Sequence, residues 1–306
     1  MREPAFPPIG GNAPRRLYPR AHEDVAAVMS ATAILFPGQG SQTPQMREQV
    51  ERHRPDLLEA ACEVVGEDPF ARVEEGTRFA QPAIFCASLA GWEALGRPSA
   101  DYMAGHSLGE LAALVAAGAL PERDGLELVA LRGALMQRAG ELAGDGGMLA
   151  LIGTGAAEHA DGLASAHGLA VANDNSPQQV VLSGPRAALP AARAAARELG
   201  LRALELPVTG AFHSPMMASA LPEFRAALER ARLQEPSVTV FSAVTAAPFD
   251  DIRARLAEAL VSPVRWRETL LALREHGAQR FVEVGPGRVL SGLAKRTLAD
   301  VELVGA

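Results

Sequence analysis

The sequence predicts an α/β fold with a mainly parallel sheet, into which a smaller split βαβ unit is inserted. Three observations carry this. Short apolar runs alternate with longer stretches whose apolar residues recur at helical spacing, the pattern of parallel strands joined by crossover helices. The texture changes between Met148 and Pro207, which read strand, helix, strand, helix, strand. At 306 residues and 48% hydrophobic composition, the chain can bury one large core with a smaller one beside it.

Residues 1–28, rich in Pro, Gly and Arg, read as a disordered N-terminal tail without the apolar stretch of a signal peptide. Two origins stay open for them, a genuine extension or a true start at Met29. The large unit is expected over 29–147 and 208–306, and the small one over 148–207. "ATAILF" (Ala31 to Phe36) reads as a buried strand closed by the Gly-rich loop "PGQGSQ". Helical patterns follow through Glu63 and from Gln81 to Leu95, and "DYMAG" reads as a weak strand. From Ser107, apolar Leu108, Leu111, Ala112 and Val115 repeat at helical spacing until Gly118, and Pro121 opens a second helix. In the inserted unit "GMLALIG", "QVVLSG" and "LRALELPV" read as strands and "AALPAARAAARELG" as a helix. Helices are expected beyond Pro207, then "QRFVEVGPG" as a last strand with a tight turn, and a closing helix from Val289.

A formal charge of −7 argues against nucleic-acid binding, since little here would displace counterions from a phosphate backbone. No apolar run has the length of a membrane span. Two cysteines, Cys62 and Cys86, follow no metal or disulfide spacing, so a reducing cytoplasm is the expected setting.

Gly105-His106-Ser107-Leu108-Gly109 fits the G-x-S-x-G nucleophile elbow, with a strand before it and a helix after. So sharp a reversal strains the serine backbone, and glycines on either side remove Cβ atoms that would clash. The hydroxyl would then sit at a helix N-terminus, where the Leu108 N–H can serve a developing oxyanion. The rival reading makes Ser107 a plain helix N-cap.

A serine nucleophile needs a base, and of seven histidines His213 stands out. In "PVTGAFHSPMM" it follows a strand and a small-residue loop and precedes a Ser-Pro helix start. A histidine merely capping that helix fits the same letters. His106 adjoins the serine, but neighbours in a tight turn point apart. Arg132 has Leu128, Val129, Leu135 and Met136 as its helical neighbours, an apolar face. Three readings stay open: a side chain snorkelling to the rim, a pair with an internal carboxylate, or a buried fork for a ligand carboxylate.

These residues fall in an ordered set of motifs: "FPGQGSQ", "QPAIF", "GHSLGE", "LRGALMQ", "NSPQQVVLSG", "GAFHSPMM", "SPVRW" and "VEVGPGRVL". In this the chain resembles the malonyl-CoA:acyl-carrier-protein transacylases and the acyltransferase domains of polyketide synthases, from about Ile34 to Leu298. The resemblance implies a larger α/β-hydrolase-like domain with an inserted small ferredoxin-like subdomain. It implies Ser107 as acylated nucleophile, His213 as base, and Arg132 as holder of the malonyl carboxylate. The N–H groups of Gln39 and Leu108 would form the oxyanion hole, and Gln81 and Met136 would line the pocket. Phe212 before the histidine and Leu108 after the nucleophile go with unbranched malonyl. The family commonly has glutamine where this chain has Ala259; the backbone carbonyl there would orient the histidine. Also implied are malonyl-CoA and an acidic acyl carrier protein as partners, no metal or prosthetic cofactor, and a monomer as the default. Arg225, Arg265 and Arg288 are the expected cations at the pocket mouth. The alternatives are a serine thioesterase acting on acyl thioesters and a silent carrier-binding module.

The glycines of "VEVGPGRVL" lack the G-x-G-x-x-G spacing and lie at a late strand, so they read as a structural turn.

Overall fold

The computed structural model describes residues 31–305, so the expectations for the N-terminal tail and for a start at Met29 lie outside the described residues. In chain order the first part of the large unit runs β1 (Ala31–Phe36), α1 (Met46–His53), α2 (Pro55–Val65), α3 (Thr77–Ala94), β2 (Tyr102–Gly105), α4 (Gly109–Ala116) and α5 (Glu122–Ala143). Next come β3 (Gly146–Ile152), α6 (Ala156–His167), β4 (Ala170–Ser176), β5 (Gln179–Pro185), α7 (Leu189–Glu198) and β6 (Arg202–Glu205). The chain returns through α8 (Leu221–Arg230), β7 (Thr239–Ser242), β8 (Ala247–Pro248), α9 (Ile252–Glu258), α10 (Trp266–Glu275), β9 (Ala278–Glu283), α11 (Val289–Thr297) and β10 (Glu302–Gly305).

The larger sheet has the order β10-β9-β1-β2-β7-β8 and is parallel except for the short β7–β8 pair. Both faces are covered, and β1 shows why its residues 33–36 are all apolar. Ile34 and Phe36 enter one core, with α3, α4 and α5, while Ala33 and Leu35 enter the other, with α10 and α11. The smaller sheet, β4-β5-β3-β6, is wholly antiparallel, with α6 and α7 packed on one face around Leu149, Leu151, Val180 and Leu182. That order, with two crossover helices, is the ferredoxin-like arrangement.

The structure corrects the element reading in several places. β4 was missing from the expected strand–helix pattern, because only Ala170 to Ala172 are apolar and the polar run Asn173–Ser176 follows. β7 and β8 lie where helices were expected beyond Pro207, and β10 follows what was read as the last strand. These strands are two to four residues long, too short to show a period. The helix expected from Ser107 begins at Gly109, and that expected from Gln81 begins at Thr77, with Pro82 inside it.

The edge strand β4 is stitched to the large unit. Its Asp174 N–H donates to Val264 O and its Ala172 O accepts from the Val264 N–H, both at 2.9 Å. Arg267 adds a two-toothed ion pair to Asp174 at 2.7–3.0 Å. The candidate site lies in the cleft between the two sheets.

Candidate active site

Ser107 occupies the turn between β2 and α4 with φ +55°, a left-handed conformation costly for a residue with a Cβ. Its flanking glycines are sterically required. A Cβ on Gly105 would lie 1.9 Å from the Gly109 carbonyl carbon, and one on Gly109 would lie 2.2 Å from Phe36 O. The N-cap reading of Ser107 fails, since Leu108 holds the N-cap position of α4 and no side chain caps it.

His213 lies in the loop between β6 and a short 3₁₀ turn, also with positive φ (+57°). It does not cap that turn; the Ser214 hydroxyl does, accepting from the Met216 N–H. The imidazole is buried, with Nε2 2.9 Å from Ser107 Oγ and Nδ1 2.8 Å from Ala259 O. A carbonyl can only accept, so Nδ1 carries the hydrogen and Nε2 is left to take the serine proton. Burial, and then the nearby Arg132 guanidinium, push the imidazole pKa down to about 3, which keeps it neutral.

Arg132 on α5 is 3% exposed, so it does not snorkel. One guanidinium nitrogen donates to Ser107 Oγ at 3.0 Å and the other to Gln81 Oε1 at 2.7 Å. Among the described residues no carboxylate stands within 4 Å of it as an ion-pair partner. Desolvation lowers its pKa to about 10, which leaves it a cation near neutrality. The buried Glu110 supplies a more distant opposing charge. Its Oε1 accepts from the Ala243 N–H at 2.8 Å, and burial raises its pKa to about 7.

A directional chain of donors runs through the site. The Gln81 amide donates to Thr77 Oγ1 at 2.8 Å, and that hydroxyl donates to Gln39 Oε1 at 2.8 Å. Gln81 also reaches the Met136 sulfur at 3.3 Å. Thus Gln39, Gln81, Arg132, Ser107, His213 and Ala259 form one connected network, drawn from parts of the sequence more than two hundred residues apart. A cavity of about 440 Å³ opens over it, lined also by Leu108, Met136 and Phe212. The backbone N–H groups of Gln39 and Leu108 donate to no protein acceptor among the described residues, so both are free for an oxyanion.

Sequence reasoning missed several members. Thr77 and Glu110 were ordinary polar positions in helical patterns, and their partners lie far along the chain. His106 does point away from Ser107, as expected. Its Nε2 meets Asn175 Oδ1 of β4 at 2.8 Å and its ring packs edge-on against Trp266. Of the three arginines expected at the mouth, none lines the cavity. Arg265 is turned to Glu268 and the Thr245 carbonyl, and Arg288 adjoins cavity-lining Val289 in sequence. Among the described residues no cluster of His, Cys, Asp and Glu could hold a metal ion, and no helix is long and apolar enough to cross a membrane.

Residues 34–305 match the acyl transferase domain model. The chain belongs to the acyl transferase family. This acyl transferase is 36% identical over 300 residues to the malonyl CoA-acyl carrier protein transacylase of Haemophilus influenzae, covering 90% of this chain and 95% of that one. It is 38% identical over 289 residues to the polyketide biosynthesis protein ThaF of Burkholderia thailandensis. There the match covers 90% of this chain but spans only 25% of the relative. The crystal structure of an acyl carrier protein S-malonyltransferase from Vibrio cholerae superposes with a TM-score of 0.82 at 37% identity, covering 90% of this chain and 97% of that one. The large parallel sheet with its small inserted sheet is thus the acyl transferase fold.

Proposed function

We propose that this acyl transferase moves a malonyl group from malonyl-CoA to the phosphopantetheine thiol of an acyl carrier protein, supplying extender units for fatty-acid or polyketide synthesis. The observation that carries this reading is the Arg132 fork. It is a buried cation with one hand on the Ser107 hydroxyl and no carboxylate within ion-pair distance among the described residues, so an acyl group ending in a carboxylate completes it.

The reaction follows from the network. Ser107 Oγ attacks the thioester carbon while its proton passes to His213 Nε2, and the Ala259 carbonyl steadies the imidazolium through Nδ1–H. The oxyanion sits between the N–H groups of Gln39 and Leu108. The C–S bond breaks, and His213 returns the proton to the departing CoA thiolate. The malonyl ester stays on Ser107 with its carboxylate on Arg132, and Gln81 holds the guanidinium in plane. The carrier thiol then gives its proton to His213, attacks the ester, and restores the serine. Phe212 and Met136 line the cavity beside the nucleophile, which supports the reading of an unbranched acyl group. No metal or organic prosthetic group has a part in these steps. An acidic carrier, a monomeric state and a cytoplasmic setting complete the reading.

The test is incubation with malonyl-, methylmalonyl- and acetyl-CoA followed by mass spectrometry of the intact protein. One malonyl group per chain is expected from malonyl-CoA, lost in Ser107→Ala, with little adduct from the other two. A protein that hydrolyses malonyl-CoA as fast as it transfers it would be a thioesterase. One that never takes the label would be a silent binding module.

A further inference from the structure

The turn "VEVGPGRVL" contains a buried carboxylate that the reaction above leaves unused. Glu283, at the end of β9, is 1% exposed, and no cation pairs with it among the described residues. Both of its oxygens are nevertheless satisfied. Oε1 accepts from the Leu290 N–H at 2.8 Å and Oε2 from the Ser291 N–H at 2.7 Å, two free donors of the first turn of α11. The carboxylate therefore closes residues 283–291 into a ring.

The ring presses on the loop that carries Gln39. Gly287, at φ +74°, lies so close to it that a Cβ would come within 2.8 Å of Ser41 O. Ser41 in turn donates to Gly38 O through both its hydroxyl (2.7 Å) and its N–H (3.3 Å), closing the turn over Gly38 and Gln39. Beyond the ring, Val289, Leu290 and Leu293 of α11 line the same cavity as Gly38, Gln39 and Gly40. One wall of the cleft, including one oxyanion donor, thus leans on the Glu283 cap.

We propose that Glu283 is a positioning residue for acyl transfer, which fixes the Gln39 N–H by clamping the 283–291 ring against Ser41. The proposal rests on the reading of Gln39 as an oxyanion donor given above. Loss of the clamp slows each attack on the thioester without removing nucleophile, base or carboxylate fork. A cap that only stabilises the fold would change the fraction of folded protein and leave the rate per folded site alone.

The experiment is single-turnover acylation by malonyl-CoA, read by rapid quench and intact mass, so that rate and final stoichiometry are obtained separately. Glu283→Gln keeps the shape but turns an NH2 group toward an N–H donor. Gly287→Ala leaves the carboxylate in place and drives a methyl group at Ser41 O. Both are expected to lower the acylation rate about 10- to 100-fold, somewhat less than outright loss of one oxyanion-hole donor. Both should keep an end point of one malonyl per folded chain and a Km for malonyl-CoA within about threefold of the parent. An unchanged rate per folded site in either variant overturns the proposal. Should Glu283→Gln fail to fold, Gly287→Ala alone decides. If the parent itself takes no malonyl group, the functional reading fails first and the result is told apart from failure of the clamp.

Discussion

The guanidinium of Arg132 donates to the hydroxyl of Ser107 at 3.0 Å, so cation and nucleophile face the cleft as a unit. Twenty-five positions separate them in sequence, and the crossing of α5 behind the elbow brings them together. A desolvated cation placed there carries two expected consequences, selection of a charged acyl group and a shift in the pH range of His213.

The first concerns selectivity. Arg132→Ala is expected to reduce the preference for malonyl-CoA over acetyl-CoA by about 2–5 kcal/mol, the cost of truncating one partner of a buried charged pair. The ratio of kcat/KM for the two thioesters measures it. A variant that keeps the parent preference would show that the carboxylate is held elsewhere.

The second concerns pH. The pKa of His213 is pushed down to about 3, first by burial and then by Arg132, so the base is neutral far below the ordinary imidazole range. The acid limb of kcat/KM, which reports the free enzyme, is therefore expected well below the usual 6.5. Arg132→Gln removes the second cause, and the limb should move up toward neutrality without reaching the ordinary value, because burial remains. The same shift sets a stability trend. Unfolded chains bind a proton on this histidine below about 6.5 and the native state does not, so stability is lost as pH falls from there toward about 3.

Glu110 has the opposite sign. Its folded pKa is raised to about 7, chiefly by burial, above the ordinary glutamate value of 4.5. Its contribution is whole below 4.5 and is lost as pH rises through about 7. Glu110→Gln keeps an acceptor for the Ala243 N–H and removes the titration. Relative to the parent, the variant should gain stability between about pH 5 and pH 8, on the order of a few kcal/mol. Denaturant titrations at the two pH values test this, and a constant difference between the proteins would contradict it.

What the sequence made legible were the groups whose residue type is itself costly or strained. Ser107 between two glycines announces a forced turn, and Arg132 on an apolar helix face announces a buried charge in need of a partner. His213 becomes legible only through Ser107, because a serine nucleophile needs a base. The resemblance then joined the three, which local patterns could not, since 106 residues part the serine from the histidine. Thr77 and Glu110 stayed hidden because a hydrogen-bonding side chain carries no mark of its distant partner. β4 stayed hidden for a related reason: Asn173 and Asn175, which break its apolar run, face the cleft rather than a core. The short β7 and β10 gain their places from neighbours in the sheet, not from any period of their own.

Ala259 gives the last prediction. The resemblance implies glutamine at this place, and the alanine found instead bears on the orientation of His213. The answer lies in the main chain: the Ala259 carbonyl stands 2.8 Å from Nδ1 without help from a side chain. That carbonyl is held by the end of α9, where the Ala259 N–H donates to Arg255 O at 2.9 Å. Ala259→Gly removes the methyl group and keeps both bonds, so kcat is expected to stay within a few-fold of the parent. Ala259→Pro deletes the N–H that anchors the segment, and kcat should fall at least tenfold with the acid limb of the pH profile displaced, since the imidazole loses its fixed tautomer. Equal activity in the two variants would mean that the histidine is oriented by something other than this carbonyl.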